Sequence, residues 1–340
     1  MKHINIPIFI PHMGCPNQCI FCNQRYISGS EKFDVEKVSY EIDQFILHSK
    51  DDDIREIAFF GGSFTGIDRK LMINLLDIAQ SYVNSGKVKG IRMSTRPDYI
   101  SDEIVSILKK YTISYVELGI QSMNDEVLSY LKRGHTVENI ENAIMLLNNS
   151  GFSVVAQMMI GLPTATVDDE IYCAQKVCEL GVSGARIYPT LVFKDTELEK
   201  ISEKGEYTPL TIAEAVLRSA KALKVFNEHN VPCIRIGLCD SDNLHSNETF
   251  VAGPNSPSIG EQVKSYLFYE LLEKDFSNNN CKNVIIACSK GKKSQVVGHR
   301  KENILKLKEK FHIDSVKIIE DSTLNEFEIK IYDKEEAKCV

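Results

Sequence analysis

The chain of 340 residues reads as an α/β protein: a partial parallel (β/α)6 barrel, TIM-like, with a small C-terminal α+β module. Three observations lead there. Short apolar runs alternate with longer segments of helical period, as parallel strands joined by crossover helices do. The runs are rich in Val, Ile, Phe and Met, as strands buried on both sides of a parallel sheet are. Six consecutive runs end in a polar or glycine-rich cluster, which gathers chemistry at the C-terminal ends of the strands.

In order, the strands fall at 5–10, 54–60, 91–95, 115–120, 154–160 and 185–191, with a seventh candidate at 232–238. Helices fill the gaps. At 210–228 Ile212, Val216, Ala220 and Leu223 form one apolar stripe. The stretch 245–260 holds Asn247, Gly253, Pro254, Asn255, Pro257 and Gly260, turn formers that predict a loop, and a helix follows at 261–274. Beyond Asn278-Asn279-Asn280 comes a compact unit: strand 283–288, a helical turn near 294, helix 302–311 and strands 315–319 and 326–332. The expected domains are the barrel at 1–245, a connecting loop and helix at 246–280, and a small basic module at 281–340.

Composition narrows the function classes. With 43% hydrophobic and 26% charged residues the chain carries a globular core and is neither disordered nor fibrous. Its longest apolar runs, Ile57–Phe60 and Val154–Ile160, fall far short of the roughly 20 residues that span a bilayer. The start, Met1 to Pro7, lacks a hydrophobic signal core, so the expected residence is cytoplasmic. Ten cysteines in a reducing compartment are then no disulfide scaffold. Only Cys15, Cys19 and Cys22 are bunched; the other seven are expected to be free thiols, mostly buried. A net charge of -7 argues against whole-surface nucleic-acid binding, yet residues 282–310 hold nine Lys or Arg against two Glu, which suits a localised anionic partner.

The sharpest feature is the C-x3-C-x2-C loop Cys15-Pro16-Asn17-Gln18-Cys19-Ile20-Phe21-Cys22 after the first strand. Three thiolates on one loop can hold three irons of a 4Fe-4S cubane and leave the fourth open. A closed zinc site would need a fourth ligand, His12 or a distant Cys. After the second strand comes Gly61-Gly62-Ser63, where a ligand can approach bare backbone. Gln157 sets an amide into the apolar run of the fifth strand, where it needs a hydrogen-bond partner.

The cysteine loop, with Phe21 before its last Cys, resembles the radical S-adenosylmethionine superfamily. The resemblance covers residues 5 to 240 and implies a 4Fe-4S cluster on Cys15, Cys19 and Cys22. It also implies that S-adenosylmethionine chelates the open iron and is cleaved to a 5'-deoxyadenosyl radical. By the same resemblance Phe21, Gly61, Gly62, Ser63, Ser94, Gln121, Arg133 and Gln157 surround that cofactor, with Arg133 on its carboxylate, where an Arg fork binds bidentately. A reducing partner such as ferredoxin or flavodoxin is implied as well. Within the superfamily, Ser94-Thr95-Arg96-Pro97-Asp98-Tyr99, Arg133-Gly134-His135-Thr136 and Ile187-Tyr188-Pro189-Thr190 are similar to motifs of the Elongator catalytic subunit, a transfer RNA modifier. That family spaces its cysteines more widely and adds an acetyltransferase domain for which this chain is too short. Two other readings share the cysteines. Enzymes of the oxygen-independent coproporphyrinogen oxidase kind continue to a fourth Cys where this chain has Gln24, and a non-catalytic iron-sulfur or zinc regulator needs only the metal.

In the C-terminal unit, Val296-Val297-Gly298-His299-Arg300-Lys301 resembles the loop of KH modules, in which a Gly-x-x-Gly turn between two helices grips a nucleic-acid backbone. Lys301 stands where the second glycine belongs. Lys293, Gly298, His299, Arg300 and Lys301 are the expected RNA contacts, with tRNA the expected substrate; a solvated basic helix is the plainer alternative.

Overall fold

A computed structural model describes residues 3–16, 18–28, 33–50, 52–238, 246, 248–277 and 281–334. Seven parallel strands form one curled sheet in the order of the chain: β1 (His3–Phe9), β2 (Ile54–Phe60), β3 (Gly90–Thr95), β4 (Ile113–Gln121), β5 (Val154–Ile160), β6 (Gly184–Pro189) and, after the short β7 (Val192–Phe193), β8 (Cys233–Ile236). The sheet stays open between β1 and β8, so it is a half-barrel. The seventh strand candidate is therefore a real member, one more than six β/α units require.

Helices α1 (Gln24–Ser28), α2 (Val38–His48), α3 (Arg69–Asn84), α4 (Asp102–Leu108), α5 (Asp125–Tyr130), α6 (Val137–Asn149), α7 (Val167–Glu179), α8 (Glu197–Glu203) and α9 (Ile212–Glu228) lie in the connections. Three start with reciprocal caps, Thr136 with Asn139, Thr166 with Asp169 and Thr211 with Glu214, each of which satisfies amides that a first turn leaves open. The apolar face of the sheet, including Ile57, Phe59, Met93, Val116 and Ile187, packs on these helices. Both sides of the strands are buried as the sequence implies, but the inner side carries charges.

The stretch 245–260 is not all loop. Among its described residues β9 (Phe250–Ala252) pairs antiparallel with β7, and α10 (Ile259–Phe276) begins at its end. Asn247 lies outside the described residues. Helix α10 packs on α9, and Phe268, Leu272 and Phe276 carry the apolar core onward into the C-terminal unit without a break. That unit is β10 (Asn283–Cys288), α11 (Lys293–Val297), α12 (Glu302–Phe311), β11 (Ser315–Glu320) and β12 (Ile329–Asp333). Strand β10 is central, parallel to β11 and antiparallel to β12. No helix among the described residues is long and apolar enough to cross a membrane.

Candidate active site at the mouth of the half-barrel

The cysteine loop is seated by the glycines that follow β2. A Cβ on Gly62 would lie 2.4 Å from the Met13 carbonyl and 2.6 Å from that of Ile10, so the bare Cα makes room for the loop's backbone. The amide of Ser63 donates to Met13 at 2.9 Å, and that of His12 to the Gly61 carbonyl at 2.9 Å. On its far side the loop hangs from two turns. The Ile20 amide donates to Leu131 at 3.2 Å, the Leu198 amide donates to Ile20 at 2.8 Å, and the Tyr26 hydroxyl donates to Asp195 at 2.6 Å. Ile20 is buried among Val127, Leu131, Met159, Leu162 and Leu198, and Phe21 packs against the same cluster.

Each sulfur has its own polar neighbour. Cys15 Sγ is 3.4 Å from the hydroxyl of buried Ser63, Cys19 Sγ accepts from Arg133 Nη1 at 3.3 Å, and Cys22 Sγ accepts from Gln24 Nε2 at 3.5 Å. Among the described residues no three His, Cys, Asp or Glu side chains are grouped to hold a single metal ion. A cubane asks for a different arrangement, because its three thiolates bind three separate irons. His12, the nearest candidate for a fourth zinc ligand, uses Nε2 to accept the Gln24 amide at 2.9 Å, and burial followed by the charge of Arg25 holds its pKa below the usual range. Burial, then the neighbouring Cys19, pushes the Cys22 thiol up to about 12. Thiolates this close repel one another unless cations lie between them, so the donor set fits an iron-sulfur cluster.

The end of β4 supplies the next groups. Arg133 is 8% exposed rather than a surface helix charge, and its Nη2 donates to the Gly119 carbonyl at 2.7 Å. The side-chain nitrogen of Gln121 is 2.9 Å, and Arg133 Nη2 3.1 Å, from where a Cβ on Gly119 would stand, so Gln121, Arg133 and Cys19 are gathered at one point. Beside them Arg96 forks onto Asp98 with two bonds of 2.9 Å, and buried His135 faces the same carboxylate at 3.9 Å. Burial, then the charges of Arg133 and Arg96, pushes His135 down to about 3, so it is neutral.

Deeper inside, Gln157 Nε2 donates to Ser94 Oγ at 3.2 Å and to Glu117 at 2.8 Å, which answers the amide's need for partners with side chains. Glu117 pairs with Arg186 at 2.8 Å and Arg92 at 3.3 Å, and Arg92 pairs with Glu56 at 3.1 Å. This ionic lining was missed as a set. Its signal is present in the sequence: β2, β3, β4 and β6 each bury a charge on this face, alternating in sign, and a buried charge must be paired.

The predicted RNA loop stands far along the chain, between α11 and α12. Gly298 is buried, and a Cβ there would lie 2.9 Å from the Asn303 amide. His299, Arg300, Lys301 and Lys293 are exposed, whereas Lys292, Lys306 and Lys310 are paired with Glu326, Glu302 and Glu273. Arg300 and Lys301 have φ of 49° and 65°, so the backbone takes at 301 the conformation that the missing glycine favours.

A half-barrel that hangs three separately hydrogen-bonded cysteines over its strand ends, ringed by a buried guanidinium, amides and hydroxyls, is an enzyme scaffold for an iron-sulfur cluster with a small polar cofactor. The chain belongs to the Radical SAM superfamily, which it matches over residues 9–174, and it matches the Radical SAM C-terminal domain over residues 182–268. It is accordingly a radical SAM enzyme, and its cofactors are a 4Fe-4S cluster and S-adenosylmethionine. It is 30% identical over 255 residues to an uncharacterized protein of Methanocaldococcus jannaschii, covering 72% of this chain and 77% of that one. The tRNA uridine(34) acetyltransferase of the same organism is 35% identical over 127 residues, 36% of this chain and 24% of that protein. Human Elongator complex protein 3 is 34% identical over 138 residues, 39% and 25% of the two chains. The match thus spans about a quarter of these named relatives. Among solved structures, the archaeal Elp3 of Methanocaldococcus infernus superimposes with a TM-score of 0.61 at 23% identity, over 80% of this chain and 63% of that one, and shares the fold.

Proposed function

We propose that the chain is an RNA-modifying enzyme acting on tRNA. The observation that carries this reading is the convergence of Arg133 and Ser63 on the cysteine loop, in a chain whose named relatives are a tRNA uridine(34) acetyltransferase and Elongator complex protein 3. When bound at the mouth, the cluster and S-adenosylmethionine would supply the chemistry of radical hydrogen abstraction. The protein's part is placement. Arg133 offers a fork for the carboxylate of the cofactor, and Gly61, Gly62 and Ser63 hold the cysteine loop against β2. Ser94 and Gln157 present hydrogen-bonding groups to its ribose. Phe21 acts indirectly, through the apolar cluster that anchors Ile20. Arg300, Lys301 and Lys293 supply cations for the RNA backbone, and a low-potential donor of the ferredoxin or flavodoxin kind supplies the electron.

The test uses the cluster-loaded protein, dithionite, S-adenosylmethionine and deuterated tRNA. Deuterium should appear in 5'-deoxyadenosine; its absence with every tRNA offered overturns the substrate. The triple variant Lys293→Ala, Arg300→Ala, Lys301→Ala should weaken tRNA binding and lower the slope of log affinity against log salt by roughly three. Unchanged binding would remove the C-terminal loop from the interface.

A further inference from the structure

Glu117 is fully buried on the inner face of β4 and belongs to no motif of the cofactor site. One of its oxygens receives Arg186 Nη2 at 2.8 Å and faces Arg92 Nη1 at 3.3 Å; the other receives Gln157 Nε2 at 2.8 Å. A carboxylate only accepts hydrogen bonds, so the amide of Gln157 must turn its nitrogen toward Glu117. The second amide hydrogen goes to Ser94 Oγ at 3.2 Å. Both Gln157 and Ser94 are only half-buried. Together they present one acceptor, Gln157 Oε1, beside one donor, the Ser94 hydroxyl. Two guanidinium groups hold Glu117 in turn, so rotating it away would break buried ion pairs.

We propose that Glu117 is a positioning residue that locks the orientation of the Gln157 amide and thereby selects the ribose diol of S-adenosylmethionine. One ribose hydroxyl donates to Gln157 Oε1 and the other accepts from Ser94. A carboxylate has no donor for Gln157 Oε1 and an ammonium has no acceptor for Ser94, so neither fits this pair. The inference deepens the cofactor reading and is independent of tRNA.

The test is equilibrium binding of S-adenosylmethionine and its 2'-deoxyribose analogue to the cluster-loaded protein, read as the ratio of the two affinities. Loss of packing alone would weaken both ligands and leave the ratio in place. The wild-type protein should prefer the ribose form by about tenfold. Glu117→Gln, which frees the amide to turn, should bring the ratio within about twofold of one. Glu117→Asp keeps the charge between the arginines and serves if the first variant does not fold; withdrawn from Gln157, it should lower the ratio as well. Gln157→Leu leaves Glu117 paired and should abolish the preference. A wild-type ratio in either folded Glu117 variant overturns the positioning role, and one in Gln157→Leu overturns the ribose contact. Failure of the wild-type protein to bind S-adenosylmethionine at all would instead overturn the cofactor assignment, and this inference with it.

Discussion

The guanidinium of Arg133 donates to the sulfur of Cys19 at 3.3 Å across 114 residues of sequence. One side chain therefore reaches both a sulfur of the cysteine loop and the Gly119 carbonyl at the end of β4, which is where the proposed reading puts the cofactor's carboxylate. Charge-assisted hydrogen bonds of this kind contribute about 1.5–3 kcal/mol. Arg133→Ala should weaken S-adenosylmethionine binding by at least tenfold while iron content stays near wild type, because the three cysteines remain. Iron and sulfide analysis beside equilibrium binding checks both halves, and unchanged affinity would refute the carboxylate role.

Cys19→Ala removes the central thiol of the loop. The variant should lose the visible absorbance of the cluster and release no 5'-deoxyadenosine under dithionite. Equal release by variant and wild type would defeat the assignment of the loop as the cluster site.

Gly62→Ala places a methyl on two backbone carbonyls, which cannot swing aside as a side chain can. Overpacking of this kind costs about 1–3 kcal/mol and should tilt the cysteine loop, lowering iron incorporation. Gly86→Ala is the control. It has φ of 73° and nothing within 4 Å, so it should cost only about 1 kcal/mol and leave the iron unchanged. Urea midpoints and iron content separate the two.

His135 is held at about 3 in the folded chain, by burial first and by Arg133 and Arg96 next, against about 6.5 when unfolded. The unfolded chain binds the extra proton, so this contribution is complete above pH 6.5 and is lost as pH falls from there toward 3. Each pH unit in that window costs about 1.4 kcal/mol. Urea unfolding at pH 5.5 and 4.5 should show that loss in the wild-type protein and a flatter dependence in His135→Leu. Equal slopes would place the acid sensitivity elsewhere.

Lys301 occupies a left-handed backbone position that glycine takes more easily. Lys301→Gly should leave stability equal or raise it by up to about 1 kcal/mol, while tRNA binding weakens for want of a cation. Stability and affinity falling together would show that Lys301 serves the fold.

The sheet and the cysteine loop were legible in the sequence for a local reason. Apolar runs at 54–60, 91–95 and 154–160 mark strands whatever surrounds them, and the spacing of Cys15, Cys19 and Cys22 places three thiols on one short turn before any packing occurs. The pair β7 and β9 was not legible, because strands of two and three residues leave no period to read. Arg133 followed from a resemblance. Taken alone, an arginine after a short helix reads as surface charge, and only the seating of Ile20 between Leu131 and Leu198 brings Cys19 to it.

The sequence by itself determined which residues lie on strands, at which end of the barrel the polar clusters gather, and which three thiols share one short loop, because those properties depend on period and on spacing of a few residues. Tertiary structure decided what Glu56, Arg92, Glu117 and Arg186 do. A single charge in an apolar strand can face solvent at an edge, a helix, or the barrel interior. Strand register turned these four inward in alternating sign, and the low dielectric there demands that each be paired with the next.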